Sequence, residues 1–206
     1  MLAKRLYLFN YLRLFNDNLI FKGKSDTVYL TFDDGPHPES TDFILNELNK
    51  NNMTGSFFFL GNQVEKFPDL TKKVRDLNFF IGSHSWHHLN GWSTNNKVYF
   101  ENYDKCADAL ETNFFRPPYG KIGLFQLLHL IKKNKIVFWS ILSRDYDTNL
   151  SAAEILGTLK KITKGGDIIV FHENDKSLVN LKNVLPEYLA FLKEMKWKTG
   201  KISDLV

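Results

Sequence analysis

Short apolar runs alternate with amphipathic stretches along almost the whole chain. Residues 27–32 (TVYLTF) are β-branched and aromatic, and Gly35-Pro36 follows them, which predicts a buried strand. Residues 56–60 (SFFFL), 79–81, 114–115, 136–139 and 168–171 repeat that signature. Between them, residues 41–49, 70–77, 97–110, 124–132, 152–161 and 181–195 carry their apolar side chains on one side and read as helices. Strands that are apolar on both faces need cover on both faces. Alternation with helices therefore predicts a mainly parallel sheet wrapped by helices, an α/β domain built as a barrel or an open sheet. No linker, low-complexity stretch or repeat interrupts it.

The first residues differ. Lys4 and Arg5 precede Leu6-Tyr7-Leu8-Phe9, but Asn10, Arg13, Asn16 and Asp17 break the apolar run, and no small-residue cleavage site follows. The expectation is an N-terminal segment, residues 1–24, packed on a domain spanning residues 25–206. An amphipathic segment lying on a membrane surface is the alternative. There is no apolar run of about 18 residues, so no transmembrane segment is expected. A cytoplasmic location is favoured.

Composition adds little that is unusual. A chain of 206 residues suits one domain, and 43% hydrophobic with 24% charged residues excludes disordered, collagen-like and coiled-coil chains. Eighteen Phe supply volume for a core. The net charge of +4 is spread along the chain, and Lys132-Lys133 and Lys160-Lys161 are short pairs, so no nucleic-acid partner is expected. Cys106 is the single cysteine, which excludes an internal disulfide, a zinc ribbon and a Cys-x-x-Cys redox site.

Polar clusters recur just after the strands, where the loops of an α/β barrel carry chemistry. In Thr31-Phe32-Asp33-Asp34-Gly35-Pro36, two adjacent carboxylates repel unless a cation sits nearby, and the Gly-Pro turn lets both serve one site. A helix N-cap with a solvated Asp is the plainer alternative. In His84-Ser85-Trp86-His87-His88, the i,i+4 spacing of His84 and His88 puts both imidazoles on one side of a helical turn. With one carboxylate they make a catalytic divalent-metal pattern, zinc foremost, with Co²⁺ or another divalent ion as substitutes. His87 points elsewhere. Arg116-Pro117-Pro118-Tyr119-Gly120 is a stiff loop whose backbone N–H suits an oxyanion, or an ordinary loop with a surface Arg. Ser143-Arg144-Asp145-Tyr146-Asp147 and His172-Glu173 are individually unremarkable. Trp86, Trp92 and Tyr146 are candidates for stacking on a ligand or for packing.

Taken together and in this order, the clusters resemble those of the NodB-homology polysaccharide deacetylases, carbohydrate esterase family four. The resemblance runs from about residue 27 to 173. It implies a distorted (β/α) barrel of about seven strands and hydrolysis of N-acetyl groups from a GlcNAc-containing saccharide. It also implies a metal held by Asp34, His84 and His88, with Asp33 as general base toward the water at the metal. Arg116 then orients Asp33, the Tyr119 backbone N–H stabilises the oxyanion, His172 is the general acid, and Asp145 orients His172. Val170 would shape a pocket for the acetyl methyl. The fourth motif departs from the family pattern at Leu142 and Tyr146, and the fifth at Glu173, which bears on substrate preference. A monomer acting on an N-acetylated saccharide is the expectation. Deacylation or deformylation of another small amide or a lipid-linked sugar, and a catalytically silent carbohydrate-binding barrel, are the alternatives.

Overall fold

A computed structural model of the chain describes residues 17–206. In chain order the elements are β1 (Leu19–Ile20), β2 (Thr27–Asp33), α1 (Ser40–Lys50), β3 (Ser56–Phe59), α2 (Gly61–Lys66), α3 (Pro68–Asp76) and β4 (Phe80–Ser83). Then come α4 (Asn96–Leu110), β5 (Phe114–Phe115), a 3₁₀ turn (Pro118–Gly120), α5 (Leu124–Leu130), β6 (Lys135–Val137), β7 (Ile141–Leu142) and α6 (Ala152–Ile162). β8 (Ile168–His172), α7 (Leu178–Glu194), β9 (Lys198–Thr199) and a second 3₁₀ turn (Ile202–Leu205) complete it.

The strands follow the order β1-β6-β5-β4-β3-β2-β8-β7, and every pairing among them is parallel. Short β9 pairs with the start of β2. The sheet curls around a filled interior with helices outside, the distorted (β/α) barrel that the motifs implied. Each predicted strand and helix forms, with one division. The run at 136–139 stops at Val137, bends at residues 138–140, and resumes as β7 against β8, because the Ser140 N–H turns to the Ile168 carbonyl. The short β1, β9 and α2 fall outside the sequence expectation, being two, two and six residues long. Of the N-terminal segment, residues 1–16 lie outside the described residues; Leu19, Ile20 and Phe21 are buried, with β1 paired to β6.

Alternation along each strand decides what faces where. On β2, Val28, Leu30 and Phe32 pack under the helices, while Tyr29 joins the interior cluster. On β8, Ile169 and Phe171 face the helices and Ile168 faces inward. Phe57 and Phe59 of β3 face out and Phe58 in. Gly82 of β4 leaves room for the Phe58 ring, which would lie 2.6 Å from any Cβ there. The inward series therefore end on Asp33 after Tyr29 and Thr31, His84 after Phe80 and Gly82, Arg116 after Phe114, and His172 after Ile168 and Val170. All four are at the carboxyl ends of their strands, at one mouth of the barrel.

Candidate active site

That mouth opens into a cleft of about 460 Å³ lined by Asp33, Asp34, His84, His88, Tyr119 and His172, with Trp139, Leu142, Tyr146, Val170, Asn174 and Lys176 completing its wall. Cross-strand register sets the level: Asp33 is paired with His172 on one side and with Phe58 on the other.

Asp34 follows Asp33 directly, so extended backbone would send it to the helix side. Its φ of 79° turns it back into the cleft instead. Gly35 is required next to it, because a Cβ there would lie 2.4 Å from the Glu173 carboxyl and 2.8 Å from the Phe59 ring. The two histidines are not on a helical turn. Residues 84–88 form a loop in which Ser85 (φ 68°) and His88 (φ 55°) are left-handed, and this loop, rather than 3.6-residue periodicity, brings the imidazoles to 4.9 Å between ring centres. His87 is exposed and lies off the cleft. Trp86, a stacking candidate, is buried against Gly61 with Lys105 3.5 Å from its ring centre, so it packs instead. Trp92 and Tyr146 are more than a third exposed.

Asp34, His84 and His88 each present one donor atom, and all three atoms lie within 4.8 Å of one another. Asp34 Oδ1 is buried without a hydrogen-bond partner, 3.7 Å from His84 Nε2 and 3.4 Å from His88 Nε2. Its other oxygen accepts from Asn174 Nδ2 at 2.8 Å. His84 Nδ1 lies 2.7 Å from the Arg116 carbonyl, a contact that requires the proton on Nδ1 and leaves the Nε2 lone pair toward Asp34. Burial pushes His84 down to about 3, with His88 adding and Asp34 opposing, and burial also lowers His88 against the pull of Asp34 and Asp33. Both rings are thus neutral at pH 7. An orphaned carboxylate oxygen facing two neutral imidazoles fits a divalent cation.

Asp33 is 2% exposed and Arg116 0%. Arg116 Nη1 donates to Asp33 Oδ1 and to Thr31 Oγ1, both at 2.7 Å, and its guanidinium carbon lies 4.1 Å from the centre of the Phe58 ring. The surface-Arg alternative is thereby overturned. Across the cleft, Asp145 Oδ1 lies 2.7 Å from His172 Nδ1 and its Oδ2 accepts the His172 backbone N–H at 2.8 Å. Ser143 Oγ and Asn180 Nδ2 hold Asp145 in turn. Burial works against a charged His172, but the Asp145 charge and hydrogen bond, with Asp34 and Asp33 behind, raise it to about 9. Tyr119 (φ 59°) stands beside His88, ring centres 4.4 Å apart, and is 56% exposed. Tyr146 meets His172 edge-on at 4.9 Å.

Glu173 lies behind the ligands. It is buried, takes the Thr41 hydroxyl hydrogen bond at 2.5 Å, and burial with Asp34 and Asp33 raises it to about 8 against that bond. Asn174 was not read from the sequence, and Ser143 was read only as part of a polar turn. An Asn that steadies a carboxylate and a Ser that steadies another leave no spacing signature.

The family model described as polysaccharide deacetylase matches residues 22–136. A peptidoglycan-N-acetylglucosamine deacetylase of Bacillus cereus is 35% identical over 152 residues, covering 70% of this chain and 55% of that protein. The peptidoglycan-N-acetylmuramic acid deacetylase PdaA of Bacillus subtilis is 32% identical over 139 residues, 61% of this chain and 51% of that protein. The chain spans about half the length of these two curated relatives. The crystal structure of a peptidoglycan N-acetylglucosamine deacetylase in complex with 4-naphthalen-1-yl-N-oxidanyl-benzamide superposes with a TM-score of 0.86 at 29% identity, covering 91% of this chain and 92% of that one. With a curled parallel barrel, a metal-competent Asp-His-His triad at its mouth and a matching family model over more than half its length, the chain belongs to the polysaccharide deacetylase family.

Proposed function

We propose that the chain is a metal-dependent N-deacetylase of a GlcNAc-containing saccharide, with peptidoglycan strands as the first substrate class. The observation that carries this is the orphaned Asp34 Oδ1 facing His84 and His88, flanked by a buried carboxylate on one side and a charged histidine on the other. The names of the relatives support the substrate class.

Asp34, His84 and His88 would hold the ion, zinc being the best match to two imidazoles and a carboxylate. When bound, a divalent ion supplies Lewis acidity, polarising the acetamide carbonyl and making water easier to deprotonate. Arg116 engages Asp33 Oδ1 and fixes the carboxylate, so that its Oδ2 takes a proton from the attacking water. As the new C–O bond forms, the Tyr119 backbone N–H donates to the developing oxyanion. His172, charged at neutral pH and locked through Nδ1 by Asp145, delivers its Nε2 proton to the departing nitrogen. The C–N bond breaks, and acetate and the free amine leave. Val170 and Leu142 give the cleft an apolar wall where the acetyl methyl sits.

The test is acetate release from chitooligosaccharides and peptidoglycan fragments with Zn²⁺ or Co²⁺. Activity that EDTA abolishes and that Asp33→Asn and His84→Ala each reduce at least a hundredfold is the expected result. Metal-independent release, or release untouched by both substitutions, overturns the proposal. Among the described residues no helix is long and apolar enough to cross a membrane. A wall glycan lies outside the cytoplasmic membrane, so this substrate and the cytoplasmic location favoured by the sequence are alternatives, and fractionation of cells separates them.

A further inference from the structure

All strands of the barrel run from one pole to the other, so helices that return antiparallel to them end where the strands begin, opposite the cleft. Two neighbouring helices end there with the same composition. The last turn of α6 carries Lys160 and Lys161, with Ile162 42% exposed between them and Lys164. The end of α7 carries Lys193, with Met195 55% exposed before Lys196 and Lys198. The two ends touch: Lys160 Nζ lies 5.7 Å from the Phe191 ring centre, and the Trp197 ring is 2.8 Å from where a Cβ on Gly165 would be.

Between the turns that follow α1 and α7 is a notch of about 490 Å³, walled by Lys193, Lys196 and Lys198 and lined by half-buried Trp197 with Asn51 and Asn52. The counter-charges at this end of α7 are Glu194, which is exposed, and Asp26, which pairs with Lys198 at 3.2 Å. Lysines in a last helical turn complement the helix dipole, which accounts for their positions. It does not account for two large exposed apolar side chains seated among them. Snorkelling lysines around an apolar tip with a tryptophan beside it are what an interface between hydrocarbon and water selects.

The chain also enters the fold at this pole. Asp17 leads into β1, which is parallel to β6, and the sixteen residues ahead of it contain Lys4, Arg5 and Arg13, no acidic residue, and a majority of Leu, Phe and Tyr. The opposite pole carries Asp33, Asp34, Asp145 and Asp175 together with Arg116, His172 and Lys176. We infer that the pole formed by the ends of α6 and α7 docks on an anionic phospholipid bilayer, phosphate headgroups entering the lysine-walled notch while Ile162 and Met195 reach the acyl boundary. The cleft then faces away from the membrane, toward a polymer beyond it. This docking does not rest on the proposed deacetylation.

The experiment is flotation of the full chain with phosphatidylcholine vesicles and with vesicles containing about one third phosphatidylglycerol. Each lysine near such a surface is worth about fivefold in partitioning. Lys193→Glu with Lys196→Glu and Lys164→Glu should therefore lower binding by a hundredfold or more, and Met195→Asp with Ile162→Asp by tenfold. Circular dichroism and thermal unfolding verify that the variants fold. Binding restricted to the anionic vesicles and weakened by about 0.5 M salt is the expected result. Equal flotation with neutral vesicles, no flotation, or unchanged binding by the lysine variant overturns the inference. So does soluble polyphosphate binding as tightly as the vesicles with the Met195 and Ile162 variant unaffected, because the partner would then be an anionic polymer.

Discussion

The Arg116–Asp33 pair gives the sharpest physical test. Both side chains are buried at the mouth of the barrel, joined through Arg116 Nη1 and Asp33 Oδ1 at 2.7 Å. Arg116→Met keeps chain length and lays a thioether where the guanidinium faces Phe58, so the packing loss is small. Arg116 is not ideally satisfied either, since its Nε has no partner and its Nη2 reaches the Phe138 carbonyl only at 3.3 Å. What the substitution leaves is a buried carboxylate without its cation, which costs about 3–5 kcal/mol. For a domain of this size that is a fall in Tm of roughly 6–20 °C. Urea unfolding in EDTA, with no ion to compensate Asp33, measures it. Asp33→Asn in the same chain removes the stranded charge, and the double variant should be at least about 2 kcal/mol more stable than the sum of the singles predicts. Additive singles would refute the reasoning.

Three further outcomes follow from the same geometry. Zn²⁺ at a hundred times its dissociation constant should stabilise the chain by about 2.7 kcal/mol, visible as a rise in Tm of several degrees, and His88→Ala or Asp34→Asn should abolish that rise. Asp145→Asn removes the main attraction for the His172 proton. Because the folded pKa of His172 is raised from 6.5 to about 9, its stabilisation is complete below pH 6.5 and vanishes as pH climbs through 9; the variant's deficit, on the order of 3 kcal/mol at most, should close over that window in chemical denaturation. Gly35→Ala drives a methyl into the fixed Glu173 carboxyl and the Phe59 ring and should cost about 1–3 kcal/mol, part of it recovered by Glu173→Ala; a neutral Gly35→Ala in a melting curve would contradict the close approach.

The strands and helices were legible because their signals are local. Runs such as Phe57-Phe58-Phe59 and Ile168-Ile169-Val170-Phe171 admit no surface position, and the polar clusters that end them mark one rim. The five side chains expected as metal ligands, base and acid, Asp34, His84, His88, Asp33 and His172, do meet in one cleft. What escaped was anything set by backbone handedness or by contacts remote in sequence. The i,i+4 spacing of His84 and His88 suggested a helical turn, whereas left-handed Ser85 and His88 do the folding. Trp86 looked like a surface ring and is buried because Gly61, 25 positions back, has no side chain to exclude it. Asn174 reaches Asp34 across 140 residues, a contact that no local pattern encodes.

That handedness has a systematic distribution. Among the described residues nine other than glycine have positive φ. Four of them, Asn52, Asn78, Glu111 and Lys196, end α1, α3, α4 and α7, where a left-handed residue closes the last turn and satisfies helix carbonyls. The other five, Asp34, Ser85, His88, Tyr119 and Arg144, all lie in the loops of the cleft. The reason is the parity and the reach of an extended strand. A strand delivers alternate side chains to the interior, so Asp33, His84, Arg116 and His172 arrive without strain, one per strand. A metal site needs more donors than one per strand, at neighbouring positions. Asp34 beside Asp33 can enter the same space only if the backbone reverses the parity that the strand imposed, whereas His88 shares the parity of His84 and returns beside it only because left-handed Ser85 and His88 fold the loop back, where four extended residues would carry it about 13 Å away. Arg144 does the same ahead of Asp145, whose carboxylate must turn back under His172. Each reversal costs on the order of 1 kcal/mol or more, and the surrounding barrel offsets it. The unstrained residues set the level and direction of the site, and the strained ones supply its remaining donors.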